Sequence, residues 1–267
     1  LRPYKSTLLY IQHCCQSLKM NDFVIDTKKY PKPRSRHHNA ANVYFPLNQL
    51  DRVPRYYPPI LSDIDWKSIY KNGNPPNILD IGCGWGSFLL NYANLNPHSN
   101  ILGIEIRKLL TEWINGIIIG EDVSNAHALW YSLPNGLAFL QNQTIDQFFS
   151  FFPDPWVKKK HHKRRAFSLE LIQEILRLAK NDAMLYIMTD VPEVAEYHIS
   201  LLDSFPSIKL THAEYIGELD HSWEGIIRSF ENLTSDDSWN LPKTDQELFS
   251  MKKNISYIRL KYVINPL

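Results

Sequence analysis

The stretch from Phe149 to Arg165 combines a carboxylate between two prolines with a dense run of positive charge. It opens with an apolar run that is typical of a buried strand, and the Pro-Asp-Pro that follows ends this strand. Because each proline fixes its own φ and cannot donate to a ladder, Asp154 is expected in a stiff turn. A rigid carboxylate there can accept hydrogen bonds from a ligand and stabilise a developing positive charge. Asp154 is therefore the candidate catalytic residue.

The residues after this turn form a basic cluster that we expect to bind a polyanion. Lysine and arginine occupy six of eight consecutive positions. Positive charges this close together repel one another unless a bound negative charge neutralises them. The indole before the cluster could stack on a base. A solvated turn is the ordinary alternative for a charge run, but the adjoining carboxylate and indole favour a nucleic-acid contact. The candidate substrate-binding residues here are Trp156, Lys158, Lys159, Lys160, His162, Lys163, Arg164 and Arg165.

A glycine-rich turn upstream is the second candidate site. A short apolar strand, 78–81, leads into Gly82, Gly84 and Gly86, and a helical pattern follows from Ser87 to Asn94. Glycines at a strand-to-helix turn let the backbone approach a ligand closely and point free amides at it. The glycine spacing differs from that of a pyrophosphate-binding loop, which disfavours a dinucleotide.

A second strand, 101–106, contains Glu105, whose carboxylate could accept both hydroxyls of a ribose. An exposed cap is the alternative role for an acid at a strand end. Alternating strands and helices predict an α/β fold with a doubly wound, mostly parallel sheet, in which ligands bind at the carboxyl edge. The remaining predicted helices are 108–119, 166–180 and 192–202, and the remaining strands are 144–152, 183–188, 208–215 and 255–264.

The region between the second helix and residue 126 is too short for the third strand that a doubly wound sheet needs. If the strand precedes a turn at Ser124, then Gly120 to Val123 alone are left to form it. We therefore hypothesise that the numbered chain skips a loop after Ile118. A Cα separation well beyond about 3.8 Å would support this, and normal bonding through Gly120 would contradict it.

Bulk composition limits the class of protein. The chain has 267 residues, 44% of them hydrophobic, and a formal net charge of +1, so a polyanion site must come from local clustering. Three cysteines, Cys14, Cys15 and Cys83, form neither a disulfide framework nor a metal site, which indicates a reducing compartment, nucleus or cytoplasm. No apolar run approaches the roughly 20 residues of a membrane span.

The chain divides into two parts by composition. Residues 1–77 are predicted to be an N-terminal extension and arm, because prolines between Lys28 and Pro59 prevent long regular elements. Scattered apolar residues in 1–20 are compatible with a short amphipathic helix. Residues 78–267 are predicted to form the catalytic domain.

At the Phe-Pro-Asp-Pro-Trp turn and its basic tail, the chain resembles the tRNA (guanine-N7)-methyltransferases. Asp80 with the three glycines after it is similar to motif I of class I S-adenosylmethionine-dependent methyltransferases. The resemblance implies a Rossmann-like sheet with an antiparallel last strand and S-adenosyl-L-methionine as cofactor. The residues that it implies for the cofactor are Asp80, Gly82, Gly84, Gly86, Glu105, Ile106, Arg107, Asn125 and Ala126.

The resemblance also extends to the substrate side. It implies that Asp190 lies near the target guanine, although a helix cap is an equal alternative for this residue. A Ser-Trp-Glu-Gly loop similar to the family's Thr-x-Glu-Gly loop implies substrate roles for Glu224 and Arg228. Arg34 to Asn39 resembles an Arg/His/Asn motif of eukaryotic members, with RNA contact or closure over the site as the implied role. A flexible, solvated segment is the equal alternative for this stretch.

The implied activity is methyl transfer to N7 of a guanosine in the tRNA variable loop, position 46 in tRNA numbering. Eukaryotic members of the family work with a WD-repeat subunit, so such a partner is expected alongside tRNA, with no membrane. Two alternatives remain open from the sequence. The acceptor could be an exocyclic amino group in RNA, or the chain could be a non-catalytic RNA-binding subunit.

Overall fold

A mixed β-sheet forms the centre of the computed structural model, which describes residues 23–35, 41–156, 162, 164–218, 220–230 and 239–266. Its strands are β1 Ile78–Ile81, β2 Ile101–Glu105, β3 Ala126–Trp130, β4 Ile145–Phe151, β5 Ala179–Thr189, β6 Ile208–Ile216 and β7 Tyr257–Ile264. The α-helices of the described residues are α1 Ser87–Leu95, α2 Lys108–Gly120, α3 Leu169–Leu178, α4 Pro192–Asp203, α5 Glu224–Arg228 and α6 Asp245–Lys253.

The strand order is β3-β2-β1-β4-β5-β7-β6. Strands β1 to β5 pair in parallel, whereas β7 runs antiparallel to both of its neighbours, β5 and β6. This arrangement confirms the predicted Rossmann-like fold with its antiparallel last strand. Because β1 pairs with both β2 and β4, the segments that follow these three strands leave the sheet at one edge.

Hydrophobic clusters cover both faces of the sheet. One cluster contains the apolar residues of α1 and α2, and the other contains those of α3 and α4. Every residue of β1 and β2 is buried, as continuous apolar strands between two helical layers should be. Helix α3 begins where Ser168 caps it, with the hydroxyl accepting from the backbone N–H of Leu171. No helix in the described part of the chain is long and apolar enough to cross a membrane.

The structure contradicts the hypothesis of a skipped loop after Ile118. Helix α2 continues to Gly120, and the backbone N–H of Val123 donates to the Ile118 carbonyl at 2.9 Å. The third strand lies after residue 125 and not before it, so the chain has enough residues for the whole doubly wound pattern. The prediction was wrong because it placed the Ser-Asn-Ala turn at the carboxyl end of the strand.

The same shift removes Asn125 and Ala126 from the cofactor site. Ala126 is the first residue of β3 and pairs with Ile101, the first residue of β2, so both lie at the amino edge of the sheet. The Asn125 side chain donates to the carbonyls of Ala93, Asn96 and Ser99 at 3.0, 3.0 and 2.9 Å. Its role is structural, since it satisfies carbonyls between α1 and β2.

Helix α6 was missed by the sequence analysis. Its buried residues are Glu247 and Ser250, whereas Leu248, Phe249 and Met251 are exposed, which is the reverse of an amphipathic pattern. Glu247 is stabilised in the interior by the Tyr257 hydroxyl at 2.9 Å and by an ion pair with Arg259. The predicted helix in residues 1–20 lies outside the described residues.

The structural role of Asn125 can be tested by Asn125→Ala. Loss of the hydrogen bonds from the Asn125 amide to three carbonyls should lower the free energy of unfolding by about 2 kcal/mol and leave the dissociation constant for S-adenosyl-L-methionine unchanged. Denaturant unfolding and calorimetric titration measure the two quantities. Asn181→Ala removes an exposed amide and serves as the control. A weakened cofactor affinity without a loss of stability would contradict this assignment.

Candidate active site

The glycine loop and the Pro-Asp-Pro turn leave neighbouring strands at the same edge of the sheet. Asp80 of β1 is paired with Phe149 of β4 in a parallel ladder. Gly82 follows Asp80 by two residues and Pro153 follows Phe149 by four, so both come soon after this paired position. Burial acts to lower the pKa of Arg107, but the Glu105 carboxylate outweighs it and the charge of Asp154 adds to the effect, so the pKa is raised. The structure thus brings the predicted catalytic acid and the predicted cofactor loop to one site.

Glu105 is almost fully buried and fully hydrogen-bonded. Its Oε1 accepts from the backbone N–H and Nε of Arg107, both at 2.9 Å. Its Oε2 accepts from Arg107 Nη2 and from the backbone N–H of Gly84, both at 3.1 Å. These four donors fill the acceptor positions of a carboxylate, so a ribose could bind Glu105 in exchange for donors that Arg107 supplies. The exposed-cap alternative for Glu105 is wrong.

Asp80 is the second buried acid of the site. Its side chain is 3% exposed, and within the described residues its Oδ2 is buried without a hydrogen-bond partner. Burial, with a smaller contribution from the charge of Glu105, raises the pKa of Asp80 to about 8. An ionised acid in this position needs a positive charge or a donor from a ligand.

The glycine loop combines a packing role with open space. Gly86 has a φ of 74°, and a Cβ on it would lie 2.8 Å from Cγ1 of Ile114, so a side chain is excluded where the loop meets α2. Gly82 has a φ of 81°, and a Cβ there would meet no atom of the described residues within 4 Å. The backbone of the loop is therefore open to a ligand at Gly82, two residues after Asp80.

The Pro-Asp-Pro turn is flanked by two residues with left-handed backbone conformations. Phe152 has a φ of 47° and Trp156 a φ of 37°, and each costs on the order of 1–3 kcal/mol in a residue other than glycine. The backbone N–H of Phe152 donates to the Met188 carbonyl at 2.8 Å, and its ring lies 5.7 Å from that of Tyr257. Contacts from β5 and β7 therefore hold one side of the turn.

The N-terminal arm contributes a residue that the sequence analysis missed. The Tyr44 hydroxyl donates to Oδ2 of Asp154 at 3.3 Å, and the two aromatic rings of Tyr44 and Trp156 meet edge to face at 5.1 Å. An available signal was the apolar Val43-Tyr44-Phe45 triplet within an otherwise polar, proline-rich arm. Of the Arg34–Asn39 motif, Arg34 and Ser35 are described and the rest lies outside the described residues.

The basic cluster is described only in part. Lys158, Lys159, Lys160 and Lys163 lie outside the described residues, and His162 is exposed. The Arg164 guanidinium stacks over the Trp156 ring at 5.1 Å, so the indole already has a cationic partner on one face.

The placement of Arg165 corrects its predicted role as a phosphate contact. This residue is 8% exposed and stacks on the Tyr197 ring at 4.5 Å. Burial, together with the charge of Arg165, lowers the pKa of the neighbouring His198 to about 3. A guanidinium that packs on Tyr197 of α4 has little surface left for a tRNA phosphate, so Arg165 is placed to anchor the end of the basic cluster.

The remaining predicted substrate residues are held by other side chains. Asp190 accepts from Nε2 of Gln246 at 3.1 Å, and the N-cap of α4 is Val191, so the cap alternative for Asp190 is wrong. Glu224 pairs with Nδ1 of His221 at 2.6 Å and with Arg228 at 3.5 Å, both on its own segment. Ile106, which was predicted for the cofactor and not for the substrate, lies beside the site. Its backbone carbonyl accepts a hydrogen bond from Nε1 of Trp130 at 3.1 Å.

The residues present fit a cationic cofactor with a ribose. Asp80 offers a buried oxygen that has no hydrogen-bond partner among the described residues, Gly82 leaves open space two residues further on, and Glu105 accepts from Arg107 donors that a ribose could replace. S-adenosyl-L-methionine carries both features, and the fit agrees with the cofactor expected from the sequence. On a sheet with this strand order, such a site is that of a class I S-adenosylmethionine-dependent methyltransferase.

Comparison with known proteins narrows the class to a family. A family model described as "Putative methyltransferase" matches residues 74–236. The chain is 34% identical to a tRNA (guanine-N(7)-)-methyltransferase of Thermosynechococcus vestitus, over 57% of this chain and 72% of that protein. It is 33% identical to the tRNA (guanine-N(7)-)-methyltransferase of Synechococcus elongatus, over 65% of this chain and 80% of that protein. It is 28% identical to that of Lodderomyces elongisporus, over 71% of this chain and 65% of that protein. The chain belongs to the tRNA (guanine-N7)-methyltransferase family, as the sequence motifs indicated.

The raised pKa of Asp80 predicts a pH-dependent stability of the free protein. The folded protein keeps a proton on Asp80 up to about pH 8, whereas the unfolded chain loses it near its ordinary pKa of 3.8. The contribution of Asp80 to stability should therefore fall as the pH rises from about 4 to about 8, by at most about 1.4 kcal/mol per pH unit, and level off above pH 8. The interval from pH 7 upwards isolates this effect from the titration of ordinary carboxylates.

Denaturant unfolding between pH 7 and 9, beside Asp80→Asn, measures this effect. The variant cannot ionise at this position and should lose the decline. Saturating S-adenosyl-L-methionine should reduce the decline in the wild-type protein, because a cationic ligand stabilises the ionised acid. Equal pH profiles for the wild type and the variant would contradict the assignment.

Proposed function

We propose that this protein transfers the methyl group of S-adenosyl-L-methionine to N7 of a guanosine in tRNA, at position 46 of the variable loop. Membership of the family supports the reaction, and the resemblance of the Phe-Pro-Asp-Pro-Trp turn to that family supports the position. The observation that carries the proposal is that Asp154 and the glycine loop share one edge of the sheet through the pairing of β1 with β4.

Guanine N7 has an in-plane lone pair and carries no proton, so its methylation needs no general base. The cofactor, when bound, supplies an electrophilic methyl group on a sulfonium. The protein's part is to place the purine in line with that methyl group, which can lower the barrier by several kcal/mol through proximity and orientation. Asp154 accepts hydrogen bonds from the N1 and N2 donors of guanine, and its charge stabilises the positive charge that develops on the ring.

The cofactor-binding residues act at the neighbouring segments. Asp80 compensates positive charge on the cofactor, Gly82 and Gly84 let its amino-acid end approach the backbone, and Glu105 holds the ribose. Arg107 pairs with Glu105 and also lies within electrostatic range of Asp154. One guanidinium thus connects the cofactor side of the site to the base side.

The basic cluster binds tRNA phosphates without reading sequence. Lys158, Lys159, Lys160, His162, Lys163 and Arg164 supply this charge in our proposal, and Asp190, Glu224 and Arg228 contact RNA near the target base. Because N7 of a paired guanine lies in a deep groove of A-form RNA, the target must be splayed or unusually exposed. We further propose a WD-repeat subunit that holds the RNA, and a location in the nucleus or cytoplasm.

The proposal is tested by incubating the protein with labelled S-adenosyl-L-methionine and bulk tRNA, with and without a candidate WD-repeat subunit. Nucleoside analysis should detect 7-methylguanosine, and sequencing of the modified tRNA should place it in the variable loop. A methylated exocyclic amino group would instead identify the alternative acceptor. Cofactor binding without any methylation would favour a non-catalytic RNA-binding subunit.

The role of Asp154 predicts a separation of turnover from binding. Asp154→Ala should lower kcat by at least a hundredfold, because the base loses its orienting acceptor and the charge on its ring is no longer compensated. The dissociation constant for tRNA should change by less than about threefold, because phosphate contacts supply most of the affinity. Filter binding and initial rates measure the two quantities, and a normal rate would disprove the assigned role.

The two adjacent arginines at the end of the basic cluster should behave differently. Arg164→Ala should weaken tRNA binding. It should also reduce the slope of log K against log salt concentration by about the amount that one phosphate contact contributes. Arg165→Ala should instead lower the melting temperature, because it removes a buried stack on Tyr197. Salt titrations and thermal unfolding of both variants distinguish the roles. If Arg165→Ala reduced the salt slope as Arg164→Ala does, without loss of stability, the burial argument would be wrong.

A further inference from the structure

The N-terminal arm contacts the catalytic turn through the side chain of Tyr44. Tyr44 donates its hydroxyl hydrogen bond to Oδ2 of Asp154 at 3.3 Å and places its ring against Trp156 at an interplanar angle of 75°. It is only 8% exposed, although it lies in a proline-rich arm outside the sheet. A residue more than a hundred positions away in sequence therefore contacts the side chains on both sides of Pro155.

The backbone around Tyr44 is fixed by hydrogen bonds to the segment after β3. The buried Ser132 hydroxyl donates to the Val43 carbonyl at 2.8 Å, and the backbone N–H of Leu47 donates to Oδ1 of Asn135 at 2.9 Å. The Tyr57 hydroxyl lies 2.7 Å from the Phe45 carbonyl and 3.0 Å from the same Asn135 oxygen. The arm therefore presents Tyr44 from a defined position.

The catalytic turn needs such an outside contact. Left-handed φ angles at Phe152 and Trp156 persist when the surrounding structure holds them in place. Contacts with Met188 and Tyr257 hold Phe152. On the opposite side, Trp156 packs against Tyr44 and Arg164. We assign the charge of Arg164 to phosphate binding and the packing of the Tyr44 ring to support of the turn.

We propose that Tyr44 is a positioning residue for Asp154. Its hydroxyl fixes the orientation of the carboxylate, and its ring holds Trp156 and with it the end of the turn. A carboxylate offers about four acceptor positions in all, so a hydrogen bond from Tyr44 to Oδ2 is compatible with others from the N1 and N2 donors of guanine. This inference rests on the proposed function of Asp154 and adds that the arm completes the catalytic site.

The variant Tyr44→Phe tests the hydroxyl alone, because phenylalanine keeps the ring contact with Trp156. We expect kcat to fall about tenfold, since the carboxylate is no longer held in its productive orientation. The KM for tRNA and for S-adenosyl-L-methionine should stay within about twofold, and the melting temperature should stay close to that of the wild type. A loss in kcat with unchanged KM indicates an interaction that acts in the transition state.

Two neighbouring tyrosines provide matched controls. Tyr57→Phe removes a hydroxyl that anchors the arm but does not touch the turn, and Tyr56→Phe removes a hydroxyl from a residue that is 65% exposed. We expect a smaller loss of kcat for Tyr57→Phe than for Tyr44→Phe, and wild-type kinetics for Tyr56→Phe.

The results separate the inference from the function on which it rests. If Tyr44→Phe kept the kcat of an active wild type, or if Tyr57→Phe lost as much kcat as Tyr44→Phe, the positioning role would be overturned and the proposed function would stand. If the wild type did not methylate guanosine in tRNA, the proposed function would fail, and the positioning role with it.

Discussion

The parallel pairing of β1 with β4 is the constraint on which the site depends. A strand that ends in a glycine loop lies directly beside a strand that ends in a proline-flanked acid, with Asp80 opposite Phe149. Neither motif forms a two-substrate site alone. The sheet register fixes their separation through backbone hydrogen bonds in a fully buried layer, which is more rigid than any loop-to-loop contact.

Charge is distributed to suit two different ligands. Within the described residues, the interior of the site holds the acids Asp80, Glu105 and Asp154 and the guanidinium of Arg107. Glu105 and Asp154 supply negative charge, and Asp80 can ionise when a positive charge binds beside it, which suits a cationic cofactor and a purine that becomes positive on methylation. The basic cluster lies downstream of the turn and suits phosphates. Arg164 on the Trp156 ring marks the junction between the two regions.

Local patterns in the sequence predicted most of the sheet and the catalytic turn, because buried strands and proline-flanked turns depend on nearby residues. The prediction of the third strand was wrong because hydrogen bonds from Asn125 to the end of α1, about 30 residues earlier, determine where the strand begins. Helix α6 was not predicted because contacts with residues outside the helix stabilise it. A buried Glu247 gives no helical signal until Tyr257 and Arg259 are placed beside it. Burial of Arg165 against Tyr197 was hidden for the same reason.

Asp154, the proposed catalytic residue, illustrates why a motif does not specify its own geometry. Two prolines restrict the turn, but the residues that flank them adopt left-handed conformations that the local sequence disfavours. Contacts with Met188 and Tyr257 of the sheet and with Tyr44 of the arm stabilise these conformations. The position of Asp154 is therefore set by three segments far apart in sequence. The arm, which the sequence predicts to lack long regular elements, contacts the proposed catalytic residue in the fold through Tyr44.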